Sequence, residues 1–185
     1  MYLKDVIVNR ILGVFFGILL LPLGILTACL IKISEPKNKI FYNCVRYGKD
    51  QKPFKMYKFR TMSSGDRIRD PLNPMLKQDN DNRVTKVGKF IRKVSWDEIP
   101  QLLNVIKGDM FIIGPRPCEQ EEIQFLPPER FTVMPGISGV VERYKKEQPT
   151  MQEICEQEKY FVEHYGFRVK WKAFKDGLKL LCHNK

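Results

Sequence analysis

Apolar and polar positions divide this chain sharply. From Ile11 to Ile33 it is almost wholly apolar, interrupted only by Lys32 near the end. A run of ~20 apolar residues is long enough for a helix to cross the hydrocarbon core of a bilayer, so this segment is expected to be buried in lipid. It is long for the apolar part of a cleaved signal, and Thr27 to Ile33 makes a poor small-residue cleavage site. Pro22 falls near the middle of the run. There it removes a backbone donor and clashes with the preceding turn, so a kink is expected at Leu21-Pro22. Lys4 and Arg10 precede the run and Lys32, Lys37 and Lys39 follow it, so the charge bias gives no direction of crossing. A single straight span accounts for neither feature. A helix-break-helix that enters and leaves by one face accounts for both, and residues 1–34 are assigned to it.

Beyond it, Glu35-Pro36-Lys37-Asn38 reads as an exit linker. Ile40 to Tyr47 and Phe54 to Phe59 read as two short strands joined by a polar turn at Lys49 to Lys52, a hairpin. Ser63 to Asn82 is rich in Asp, Asn, Arg and Pro with little apolar period, the pattern of a long exposed loop, and it is expected near the active site. Gly88 to Val94 and Ile99 to Ile106 read as short helices, the second closed by Gly108, with an apolar stretch Met110 to Ile113 after it. Residues 114–140 carry Pro115, Pro117, Pro127, Pro128 and Pro135-Gly136, so most of that region is expected to be irregular. Thr150 to Gly166 reads as an acidic helix. Phe167, Trp171, Phe174, Leu178 and Leu181 then recur at helical steps, with Arg168, Lys170, Lys172, Lys175 and Lys179 between them. That stripe suits a helix lying in a membrane interface and equally suits core packing with a solvated basic face.

Charge and cysteine usage narrow the partners. The 185 residues suit one modest domain plus an anchor. Thirty-two Lys and Arg against 21 Asp and Glu leave a net charge of +11, so phospholipid head groups, phosphorylated substrates or nucleic acid are the partners to consider. Five cysteines, odd in number and widely spaced, form neither a disulfide framework nor a zinc pattern, which fits a reducing compartment.

The candidate chemistry is concentrated in a few positions. Asp97-Glu98 follows the basic positions Lys86, Lys89, Arg92 and Lys93. Taken alone, such a pair caps a helix, with Ser95 or Asp97 as N-cap. Among cations, a carboxylate can also hold a divalent metal or attack phosphorus. Strand alternation puts Lys58 and Arg60 on one side and Phe59 on the other, which suits either phosphate binding or two solvated charges. Arg116, between Pro115 and Pro117, has a stiff backbone that could hold a guanidinium fork toward an anion, or lies in a turn with no such role. No glycine-rich phosphate loop, nucleotide fingerprint or His/Cys metal cluster is present, and His164 and His183 pair with no nucleophile set.

Four ordered motifs, Tyr57 to Met62 (YKFRTM), Asp97 to Val105 (DEIPQLLNV), Lys107 to Met110 (KGDM) and Gly114 to Pro117 (GPRP), together resemble the bacterial sugar transferase family. These are the PglC-like small monotopic phosphoglycosyl transferases. The resemblance runs from the apolar segment to about Gly139. It implies that Asp97 is a nucleophile toward the β-phosphate of a UDP-sugar, releasing UMP, with polyprenyl (undecaprenyl) phosphate as acceptor. It implies that Glu98 assists with Mg²⁺ or protons, so that Asp97 and Glu98 form the metal site. Arg92, Lys58, Arg60 and the Pro115-Arg116-Pro117 loop would line the phosphate and nucleotide region. It also matches the kinked re-entrant helix, here with Leu21-Pro22 at the kink. Cys44, Glu142 and Lys170 depart from the family pattern, which leaves the sugar unassigned.

The expected fold is therefore α+β: a kinked re-entrant membrane helix, then a small cytoplasmic domain over residues 35–185 with a β-hairpin and interfacial amphipathic helices. The expected place is the cytoplasmic face of the bacterial inner membrane. The expected partners are a UDP-sugar, polyprenyl phosphate and membrane lipids, with a second copy or downstream glycosyltransferases as further candidates and no nucleic acid. The rival reading is a membrane-anchored basic module without enzymatic activity that binds anionic lipid or nucleic acid.

Overall fold

The computed structural model describes residues 3–63, 83–139, 150–173 and 175. Of the sequence expectations, the loop over 64–82, Glu142 and the end of the aromatic stripe (Phe174, Leu178 and Leu181) lie outside the described residues.

The apolar run forms two helices, α1 (Leu3–Leu19) and α2 (Leu21–Ser34), bent by 58° at the break between them. Leu20 takes non-helical angles there, and Pro22 sits in the first turn of α2, where its missing N–H costs least. Bonds from Leu20 N–H to the Phe16 carbonyl and from Gly24 N–H to the Leu20 carbonyl carry the backbone around the corner. Helix α1 starts well before the apolar run, so Asp5, Asn9 and Arg10 are helical too. Among the described residues no single helix is long and apolar enough to cross a membrane, whereas the bent pair is so by length and composition.

Both arms pack on the rest of the chain. On α1, Asn9 Oδ1 accepts from Ile112 N–H at 3.0 Å and Arg10 donates to the Lys107 carbonyl at 3.1 Å. Gly13 lets the helix close on Val105 and Ile106, since a Cβ there would stand 3.0 Å from Val105. On α2, Thr27 and Ile31 are buried. The faces turned away, with Ile7, Ile11, Phe15, Ile18, Leu21, Ile25 and Ile33, are exposed. Apolar surface of that extent needs a cover.

The expected hairpin is β1 (Phe41–Tyr47) against β2 (Pro53–Phe59), antiparallel from Phe41 opposite Phe59 to Tyr47 opposite Pro53. A 3₁₀ turn at Lys49–Gln51 joins them, with Asp50 and Gln51 at positive φ. Helix α3 (Lys86–Lys93) is N-capped by Thr85, whose hydroxyl accepts from Gly88 N–H. The region read as one helix from Ile99 is a 3₁₀ segment, Trp96–Gln101, continuing into α4 (Leu102–Lys107). Pro100 has no N–H to donate, which favours the looser first part. Gly108, at φ 89°, ends α4 in the left-handed conformation that glycine adopts without strain.

The expectation of irregular structure over 114–140 is corrected. Strand β3 (Phe111–Ile113) pairs in parallel with β4 (Gly136–Ser138), and 3₁₀ turns form at Gln120–Phe125 and Pro128–Thr132. Three-residue strands are too short to show a period in the sequence, and Pro128 is accommodated at the start of its turn. Helix α5 (Met151–Glu163) opens with a capping box between Thr150 and Glu153. Residues 167–173 are again helical.

The fold is thus α+β with two two-stranded sheets among the described residues. Its core is three clusters: Ile31, Phe59 and Ile91; Met56, Val105 and Met110; and Cys118, Leu126 and Phe131. The first joins α2, β2 and α3, with Trp96 and Ile99 packed on it, so the 3₁₀ segment carrying Asp97 rests on α2.

Candidate functional site

Asp97 and Glu98 lie in the first turn of the 3₁₀ segment. Ser95 stands at its N-cap position, but in the left-handed conformation (φ 57°, ψ 22°) and without a side-chain cap bond, so the capping role expected of it is not performed. A non-glycine residue held there stores strain of order 1 kcal/mol, a feature that clusters at functional sites. Asp97 is 7% exposed and Glu98 half-buried.

Lys58 is the cation over this pair. Its Nζ lies 3.0 Å from Glu98 Oε1 and 3.9 Å from Asp97 Oδ2. The hairpin register sets Tyr42 opposite Lys58, and the Arg60 guanidinium lies 5.9 Å from the centre of the Tyr42 ring. Lys58 and Arg60 therefore share the Tyr42 face of the ribbon, while Phe59 stacks on Phe41 on the other. The two cations engage different surroundings. Arg60 lines a small cavity with Ile31, Ser34, Glu35, Met62 and Thr85 at the end of α2.

Arg92 reaches the same neighbourhood from α3, its Nε donating to Thr61 Oγ1 at 2.7 Å. Thr61 is buried, and its carbonyl accepts from Thr85 N–H at 3.1 Å, so one residue at the end of β2 ties both the start and the end of α3.

Arg116 belongs to another part of the molecule. Its side chain is exposed between buried Pro115 and Pro117, and its carbonyl accepts from the Arg130 guanidinium. Arg130 in turn pairs with Glu158 of α5 at 3.1 Å, both side chains being almost fully buried. Burial pushes the Glu158 carboxyl up to about 7, against the opposing pull of Arg130 and Arg116. Arg46 and Glu119 form a second ion pair nearby, at 2.6 Å. Cys118 is buried beside them, and burial raises its thiol to about 11, which makes it a packing residue rather than a nucleophile.

Two residues of this site carried no assigned role in the sequence: Thr61 and Asn104. Asn104 is completely buried on α4 and bonded to β2. The signal available for it was a lone amide among Leu102, Leu103, Val105 and Ile106, since a buried polar side chain in an apolar stretch must find partners.

Among the described residues no group of three or more His, Cys, Asp and Glu gathers as a metal site. Two adjacent carboxylates with hard oxygen donors do suit Mg²⁺, which is usually held by one or two carboxylates together with substrate phosphate and water. The close approach of the Lys58 ammonium shows that this corner accommodates positive charge.

The sequence profile described as "Bacterial sugar transferase" matches residues 2–182. The chain is 38% identical, over 78% of its length, to the UDP-N-acetylgalactosamine-undecaprenyl-phosphate N-acetylgalactosaminephosphotransferase of Aeromonas hydrophila, and covers 36% of that protein. It is 36% identical, over 82% of its length, to the uncharacterized sugar transferase EpsL of Bacillus subtilis, covering 69% of it. It is 35% identical, over 83% of its length, to the UDP-glucose:undecaprenyl-phosphate glucose-1-phosphate transferase of Escherichia coli, covering 34%. The chain thus spans about a third of the length of the first and third of these relatives.

Proposed function

The chain belongs to the bacterial sugar transferase family, and we propose that it moves a sugar phosphate from a UDP-sugar to undecaprenyl or a related polyprenyl phosphate, releasing UMP. The observation that carries this reading is the buried Asp97, set beside Glu98 under the Lys58 ammonium, on a segment packed against α2. Relatives with comparable identity are named for transfer of N-acetylgalactosamine phosphate and of glucose 1-phosphate to undecaprenyl phosphate. UMP release across a panel of UDP-sugars, with and without polyprenyl phosphate, tests the reaction and identifies the sugar. A chain that binds vesicles but releases no UMP from any of them is a binding module instead.

In the first step an Asp97 carboxylate oxygen bonds to the β-phosphorus, and the bond from that phosphorus to the bridging oxygen breaks. UMP leaves with the bridging oxygen and its electron pair, and the sugar phosphate remains on Asp97. In the second step an oxygen of polyprenyl phosphate bonds to the same phosphorus and releases the Asp97 carboxylate. Lys58 orients the carboxylate pair and offsets its charge as an anionic substrate approaches. Arg92, and Arg116 from its separate loop, are the guanidinium candidates for the diphosphate and nucleotide. Arg60, which lines the small cavity beside the end of α2, is the candidate for the lipid-borne phosphate.

Mg²⁺, held by Asp97 and Glu98 with the diphosphate, would supply charge neutralisation at phosphorus. Excess EDTA is therefore expected to suppress UMP release, and added Mg²⁺ to restore it. Undiminished turnover in EDTA contradicts the metal requirement, and rescue by Zn²⁺ but not Mg²⁺ contradicts the choice of ion.

We infer that the site lies at the cytoplasmic face of the inner membrane, with α1 and α2 as a re-entrant pair. Support comes from the packing of both arms: Asn9 and Arg10 on Ile112 and Lys107, and Ile31 on Phe59 and Ile91. A straight span would carry the start of α1 to the opposite side from these partners. Lys170 pairs with Asp5 at 3.6 Å, while Phe167, 80% exposed, stacks with Trp171 on the adjoining helical segment. That arrangement suits aromatic anchoring at the interface beside the start of α1. Single cysteines introduced as Tyr2→Cys and Asn38→Cys, with the native cysteines removed, are both expected to resist a membrane-impermeant maleimide in intact cells. Labelling at residue 2 but not at residue 38 would establish a spanning helix.

A further inference from the structure

Strand β2 has one edge on β1 and one edge open to α4. Along the open edge, Lys55 and Tyr57 are alternate residues, so the carbonyl of one and the N–H of the other point away from β1. Unpaired backbone groups in a buried place are costly and are almost always satisfied. Here one side chain satisfies both. Asn104 Oδ1 accepts from Tyr57 N–H at 3.1 Å, and its Nδ2 donates to the Lys55 carbonyl at 2.7 Å. The amide lies along the strand edge as a peptide unit of a third strand would. Its orientation is unambiguous, because the backbone N–H can only donate and the carbonyl can only accept.

The amide is itself held. Its second N–H donates to Asp109 Oδ2 at 3.2 Å. The Asn104 carbonyl accepts from the N–H groups of Gly108, Asp109 and Met110 at 3.0, 2.9 and 3.3 Å. Residue 104 is 0% exposed, so water cannot replace these bonds.

The two elements joined by this amide are the two that carry the reacting side chains. Lys58 is the next residue along β2 after Tyr57. Asp97 and Glu98 lie on the 3₁₀ segment that runs without interruption into α4. We propose that Asn104 is a positioning residue for the transfer reaction: by standing in for a neighbouring strand along β2, its amide fixes the Lys58 ammonium against Glu98 and Asp97. An aspartate keeps the acceptor but loses both donors and faces the Asp109 carboxylate. A leucine pairs neither backbone group.

This rests on the assignment of Asp97, Glu98 and Lys58 to the reacting site, and the test separates the two. The full chain, reconstituted in lipid nanodiscs, is assayed for UMP release with the UDP-sugar it turns over best, and its unfolding is followed by circular dichroism. Asn104→Ala is expected to lower kcat about 100-fold, the size of loss that a misplacement near 1 Å produces. In a Lys58→Met background the same change should cost less than about 3-fold, because the group it positions is gone. Asn104→Asp should resemble Asn104→Ala, and adding Asp109→Asn should recover part of the loss by returning one donor. Asp109→Ala, which removes the third bond of the amide and a half-exposed pair with Lys107 while leaving both bonds to β2, serves if Asn104→Ala does not fold; its smaller loss should likewise vanish with Lys58→Met. Losses that multiply in the double variants overturn the positioning role and leave Asn104 as a structural edge cap. Full turnover by Lys58→Met overturns the site assignment, and the proposal with it.

Discussion

Asp97→Asn should reduce UMP release by on the order of 10⁴-fold or more, because an amide cannot form the acyl phosphate on which two-step transfer depends. The substitution nearly preserves volume at a residue that is 7% exposed, so the fold should survive. The Lys58 ammonium retains Glu98 at 3.0 Å as its main partner. Wild-type protein incubated with UDP-sugar and Mg²⁺ in the absence of acceptor should gain the mass of one sugar phosphate, located on the peptide containing Asp97. Asp97→Asn should gain none. Glu98→Gln should keep measurable turnover, since in this reading Glu98 assists and does not bond to phosphorus. A variant Asp97→Asn that turns over at a normal rate would show that polyprenyl phosphate attacks the UDP-sugar directly, and an adduct on Glu98 would exchange the two roles.

What the sequence made legible follows from how local each signal is. The break near Pro22 could be read because proline acts on its own turn, and the structure puts the bend at Leu20, within a turn of the ring. The β1–β2 hairpin and the end of α4 at Gly108 rest on alternation and on a single left-handed glycine, both local. The β3–β4 pair was not legible, because a parallel pair of three-residue strands gains its bonds from a segment more than twenty positions away. At the site, the Asp97-Glu98 pair stood out by composition. That Lys58 meets it depends on the register of β2 against α4, and that register is set by Asn104 across a separation of 47 residues from Tyr57. The buried pair of Arg130 and Glu158 joins a proline-rich turn to α5 and has no sequence signature at all.

The steric constraint that holds α3 to β2 is at Gly88, and Gly88→Ala should lower stability by about 3 kcal/mol. A Cβ at this position would stand 2.1 Å from the Thr61 carbonyl oxygen and 2.8 Å from Thr85 Oγ1. The first neighbour is backbone and cannot turn aside, so α3 must lift away from the end of β2. Lifting breaks the bond from Thr85 N–H to the Thr61 carbonyl and loosens the Thr85 cap on Gly88 N–H. Loss of a cap costs about 1 kcal/mol and overpacking about 1 to 3. For a chain of this size that corresponds to a fall in Tm of roughly 6 to 12 °C. The same movement carries Arg92 away from Thr61 Oγ1, now 2.7 Å from its Nε, so turnover by the protein that remains folded should fall as well. Gly17→Ala is the control, because its nearest contact would be Ile106 Cδ1 at 3.9 Å, an ordinary van der Waals distance. It should leave both Tm and turnover close to wild type. If Gly88→Ala matches Gly17→Ala in thermal unfolding and in UMP release, α3 does not sit on Thr61 as described, and Arg92 is not held at the site by that contact.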